Sequence, residues 1–126
     1  MRIFCGLLLL GVIGAVAAAQ DDEKKCCCTT YDTSVCLSKI RDSIDAELNK
    51  TYQTALSMTK KFGREDLENL KDAERKWIAY RDAACKAEYG LWGGGSGGPN
   101  AHTMCMIRLT RQRTADLKSV YVDLNR

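Results

Sequence analysis

The sequence predicts an all-α fold, a small antiparallel three-helix bundle stapled by about two disulfides. Three observations predict it: three stretches carry apolar residues at helical spacing, no segment shows the two-residue alternation of a strand, and cysteines fall near the ends of the helical stretches. In the first stretch, from Thr33 to Phe62, Leu37, Ile40, Ile44, Leu48, Tyr52 and Leu56 step by three or four residues and mark one buried face. Gly63 is expected to stop that helix. The second begins at Arg64-Glu65-Asp66, where acids suit a helix N-terminus, and carries Leu67, Leu70, Ala73, Trp77 and Ala84 on one side before reaching Gly90. Residues 90–99 hold six glycines and read as a flexible loop, neither helix nor strand. Asn100 is placed to cap a third helix with Met106, Leu109, Leu117, Val120 and Leu124 on its buried side.

The N-terminus reads as a signal peptide over residues 1–19. Arg2 supplies the positive start, Ile3 to Val16 form an apolar run, and Ala17-Ala18-Ala19 offers the small residues a signal peptidase needs, with cleavage before Gln20. The apolar run ends at about the lower limit for a membrane span and Asp21-Asp22-Glu23 follows at once, which argues against stable membrane insertion after cleavage. Neither Cys5 nor Cys26 is preceded by the small residues of a lipid-attachment site. The expected location is periplasmic or secreted. Residues 20–126 then form one domain of 107 residues, and the loss of Arg2 leaves 18 basic and 16 acidic residues, a net charge of +2. That balance is too weak for a nucleic-acid protein, whose basic residues would be concentrated on a face or stripe.

Seven cysteines are present, and cleavage removes Cys5. The remaining six lie in a compartment that favours disulfides. Cys85 near the end of helix two and Cys105 near the start of helix three come to the same end of the bundle and are expected to pair. Cys36 is expected to pair with one of Cys26, Cys27 or Cys28, and the other two are left open to mutual pairing, a bridge between chains, or a metal.

Three stretches carry a resemblance. Ile44-Asp45-Ala46-Glu47-Leu48-Asn49-Lys50-Thr51-Tyr52, then Leu70-Lys71-Asp72-Ala73-Glu74-Arg75-Lys76-Trp77-Ile78-Ala79-Tyr80-Arg81-Asp82-Ala83-Ala84-Cys85, then Cys105 with Leu109-Thr110-Arg111-Gln112-Arg113-Thr114-Ala115-Asp116-Leu117, together resemble the LprI-type lysozyme inhibitor family over nearly the whole mature chain. The resemblance implies a non-enzymatic protein that binds and blocks a peptidoglycan-cleaving lysozyme in the cell envelope. This chain departs from the family's founding type, a lipoprotein, in having no lipid-attachment site, and the Cys26-Cys27-Cys28 triplet exceeds the usual cysteine set. The alternative is a periplasmic interaction, stress-response or immunity module with another partner. A thiol or metal carrier built on the triplet is a third reading, weakened because disulfides compete for the thiolates.

Within the resembling stretches, Trp77 falls on the apolar face of helix two and is expected in the core. Arg81 and Arg113 point inward or to the bundle's edge, where a guanidinium requires carboxylate partners, and Asp45, Glu74 and Asp82 are the candidates. No catalytic group stands out. The single histidine, His102, lacks a nucleophile partner, there is no nucleophile elbow, and the glycine run lacks the Gly-Lys-Ser/Thr ending of a phosphate loop. No cofactor and no metal are implied. Recognition is the expected task, and the loop between Cys85 and Cys105, with Tyr89, Trp92 and His102, is the expected surface for a protein partner.

Overall fold

The computed structural model describes Cys26 and residues 29–123 as three helices, α1 (Thr30–Thr59), α2 (Arg64–Gly90) and α3 (Gly98–Leu117), with a π-helical extension Lys118–Asp123. No strand occurs among the described residues. The proposed signal peptide, Cys27, Cys28 and Leu124 lie outside them.

Local chemistry sets each boundary. Thr29 starts α1 three residues earlier than the apolar pattern suggested, because it forms a capping box: its Oγ1 accepts from the Asp32 N–H at 3.1 Å, and the Asp32 carboxylate accepts from the Thr29 N–H at 3.3 Å. The helix ends at Thr59, and Lys60–Phe62 turn the chain into Gly63, whose φ of 148° suits glycine alone. The glycine segment is shorter than its composition implied. Gly90 closes α2, while Gly98 and Pro99 open α3, where a first-turn proline loses no helical hydrogen bond. Asn100 therefore sits inside α3 and caps nothing. Its side chain reaches α1 instead, accepting from Ser34 Oγ at 2.6 Å and donating to the Thr30 carbonyl at 3.3 Å.

α1 and α2 form an antiparallel hairpin, and α3 returns antiparallel to α2 and alongside α1. The third helix packs against both others, whereas α1 and α2 touch each other least. Two apolar clusters run along this seam. Leu37, Ile44 and Ile107, with Ile40 and Cys26 against them, fill the end where α1 and α3 begin, while Leu48, Ala55, Leu70 and Leu117, with Tyr52, Leu56, Trp77 and Tyr121, fill the end near the α1–α2 turn.

The buried face of α3 differs from the expected one. Cys105, Ile107, Thr110, Thr114 and Leu117 are buried, Met106 and Leu109 only partly so, and Val120 is half exposed. A helix wedged between two neighbours buries more than one apolar stripe, and threonine can join it when its hydroxyl bonds back to the helix: Thr114 Oγ1 donates to the Thr110 carbonyl at 2.9 Å. Beyond Leu117 the backbone leaves the α-helical repeat, so a 3.6-residue period no longer places Val120 inward. On α2, Ala73 is exposed and Trp77 is only partly buried, so helix two contributes less to the core than its pattern implied.

Both disulfides staple the end where α1 and α3 begin. Cys26 pairs with Cys36 across a Cα–Cα distance of 5.6 Å, and Cys85 with Cys105 across 5.5 Å. Both distances are those of ordinary disulfides. Replacing Cys85 and Cys105 together with Ala should cost about 3 kcal/mol from loop-closure entropy, read as a lower chemical-denaturation midpoint, while far-ultraviolet circular dichroism remains helical. Non-reducing peptide mapping should recover the same two pairs.

Candidate functional site

The turn from α2 into α3 is a projecting tip. Its backbone is a chain of short-range hydrogen bonds: Leu91, Trp92 and Gly93 donate to Glu88, Tyr89 and Gly90, Gly95 donates to Trp92 at 2.8 Å, and Gly98 donates to Gly95 at 3.0 Å. Gly93 and Gly94, at φ of 53° and 81°, reverse the chain in the left-handed region. The expected flexible linker is thus a succession of turns.

Two other glycines are required for a different reason. The Trp92 ring lies directly on Gly97, where an added Cβ would meet its Cζ3 at 2.5 Å, and the Tyr89 ring lies on Gly98, where a Cβ would come within 3.0 Å of Cε2. The missing side chains are the seats of the two aromatic rings. His102, in the first turns of α3 and partly buried, meets the Tyr89 ring edge-on at 6.4 Å with an interplanar angle of 84°. Tyr89, Trp92 and His102 are therefore brought to one end of the molecule, with His102 standing beside the base of the tip. Leu91 is the most exposed large apolar residue among those described, at 86%, and Trp92 is 52% exposed.

The tip has no formal charge. From Tyr89 to Ile107 the sequence has no Asp, Glu, Lys or Arg, in a chain that is 28% charged. Glu88 and Arg108 bracket the neutral segment and pair with each other beside the Cys85–Cys105 bridge. The N–H groups of Gly94, Ser96 and Gly97 donate to no backbone carbonyl among the described residues. Sequence reasoning singled out the aromatics but missed Leu91, the seating glycines and these amides; the long uncharged run was the signal that pointed to them.

A second constellation lies midway along α2. Arg113 places Nε and Nη2 at 2.9 and 2.8 Å from one carboxylate oxygen of Glu74, and Arg81 reaches Asp82 at 3.1 Å, Asp45 at 3.6 Å and the Thr110 hydroxyl at 3.4 Å. Both guanidinium groups stand by the Trp77 ring, 5.2 and 5.9 Å from its centre. Trp77 is thus a half-buried platform for two cations rather than an apolar plug between three helices. Burial raises the Tyr52 hydroxyl above the ordinary tyrosine pKa, and the neighbouring Glu74 carboxylate adds to the rise. Every carboxylate of this cluster, Asp45, Glu74 and Asp82, is engaged by an arginine. No three His, Cys, Asp or Glu side chains converge as a metal site among the described residues.

Comparison with known proteins adds a family match. Over residues 21–117 the chain matches the family described as lysozyme inhibitor LprI. It is also 40% identical to an uncharacterized protein of Rhizobium meliloti (strain 1021), over 71% of each chain. No solved structure matches it.

The two constellations respond differently to substitution. Glu74→Gln should destabilise the fold by roughly 2–3 kcal/mol in chemical denaturation, because it leaves the largely buried Arg113 without its carboxylate. Glu47→Gln, which breaks only the exposed pair with Lys118, should cost below about 1 kcal/mol. Gly97→Ala should leave stability within about 1 kcal/mol, since it touches no core residue. It should nonetheless displace the Trp92 ring, seen as a shift of its indole N–H resonance.

Proposed function

Because the chain belongs to the lysozyme inhibitor LprI family, we propose that it binds a lysozyme and blocks peptidoglycan cleavage, in the periplasm or outside the cell, through the tip formed by Tyr89, Leu91 and Trp92 with His102 at its base. The observation that carries this reading is the combination of exposure and order in one projection: an apolar tip whose rings are seated on glycines and whose base is closed by a disulfide. A glycosidase cleft is a groove with two carboxyl groups at its centre, and a slim projection suits a groove. Leu91 and Trp92 supply apolar area for the sugar-binding floor, and the loop amides can donate to cleft carboxylates without a positively charged side chain. Turns that are already formed lower the ordering cost of binding. Tyr89 and His102 support the projection from behind.

Charge has a small part in this mechanism. With a small positive net charge and an uncharged tip, association has little long-range steering, so the on-rate and the inhibition should change little with salt. The two disulfides fit an oxidising compartment. No described helix is long and apolar enough to cross a membrane.

The test is lysis of cell-wall suspensions by several lysozyme classes with and without the mature protein. At least one class should be inhibited, Trp92→Ala should weaken inhibition about tenfold or more, as expected for an interface anchor, and His102→Ala should weaken it less. Full inhibition by both variants, with unchanged thermal melting, would move the binding surface to the charged faces of α2 and α3.

A further inference from the structure

We propose that Trp92 and the loop amides beside it form a direct, weak binding site for an oligosaccharide of β-linked N-acetylhexosamine units. The proposal does not depend on inhibition of a lysozyme, although both would use the same indole.

Three features of the tip select this ligand. The six-membered ring of Trp92 packs against Gly97, and the half-exposed indole presents the rest of its apolar surface to solvent. A pyranose ring in the β configuration has a face of C–H groups that stacks on such a surface, and little ordering cost remains because the ring is already seated. The second feature is neutrality. With no formal charge between Tyr89 and Ile107, and with Glu88 and Arg108 at the margins paired to each other, the tip carries no cationic side chain of the kind that draws a phosphate, a nucleic acid or an acidic peptide. The third is the surplus of donors. Gly94, Ser96 and Gly97 keep backbone N–H groups without a backbone acceptor, and the Ser96 side chain is exposed. An acetamido carbonyl and ring hydroxyl oxygens are the acceptors that an uncharged sugar carries next to its apolar face.

The experiment is an amide and indole nuclear magnetic resonance titration of the mature protein with the β-1,4-linked tetramer of N-acetylglucosamine, and in parallel with the tetramer of glucose. Saturable shifts should appear at the Trp92 indole and at the Gly94, Ser96 and Gly97 amides, with a dissociation constant in the millimolar range and weaker binding of the glucose tetramer, which lacks the acetamido group. Trp92→Ala should abolish saturation, and Gly97→Ala, which dislodges the ring without removing it, should weaken binding several-fold. The proposal is overturned if no shifts appear at millimolar sugar, if they fall on other residues, if Trp92→Ala binds as the parent does, or if the glucose tetramer binds as tightly. Lysozyme inhibition measured on the same samples separates the two readings. Inhibition without sugar binding removes this site alone, and sugar binding without inhibition removes the lysozyme reading alone.

Discussion

The bond between Cys85 and Cys105 is the constraint on which the projecting end of this molecule depends. It joins α2 to α3 where each borders the glycine turn, fixing their register there and leaving the chain between to form a short projection. Among the described residues the apolar core near it is small, Leu37, Ile44 and Ile107 with two partly buried neighbours, and the second disulfide reinforces the same end. A domain of this size buries too little apolar surface to fix a projecting loop by packing alone. Covalent staples take over that task where the core is thinnest.

The opposite end is held differently. There Leu48, Ala55, Leu70 and Leu117 form the larger apolar cluster, and the Glu74–Arg113 and Arg81–Asp45 pairs flank it around the Trp77 ring. Removing one member of such a pair leaves a poorly solvated charge, which makes the arrangement sensitive to substitution even when its net contribution is modest. The molecule thus divides its work. The ion-paired residues around Trp77 tie the helices together through the middle of α2 and α3, while the neutral tip lies outside both apolar clusters.

Much of this was legible in the sequence, for reasons that particular residues make plain. The spacing of Leu37, Ile44 and Leu48 reports a helix that buries one face, mainly against α3, where a single apolar stripe is a faithful signal. Cys85 and Cys105 could be paired because Gly63 and the glycine run fix the order of the helices and bring both cysteines to one end. α3 was read less well, since it has two neighbours and buries Thr110 and Thr114 with their hydroxyls satisfied by the helix itself or by Arg81. Counting apolar residues passes over such positions. The start of α1 was missed because the capping box at Thr29 and Asp32 lies outside the apolar pattern, and Gly97 and Gly98 read as linker because nothing local announces the Trp92 and Tyr89 rings that occupy the space of their absent side chains.

Hydrogen exchange of the protein alone and in complex with an inhibited lysozyme tests the central claim, that a disulfide-closed neutral tip is the recognition surface, most directly. The amides of Gly94, Ser96 and Gly97 lack backbone acceptors and should exchange rapidly in the free protein. Lysozyme should slow exchange across Leu91 to Gly98 more than anywhere else in the chain. Unchanged exchange there, with new protection along the charged surfaces of α2 or α3, would contradict it.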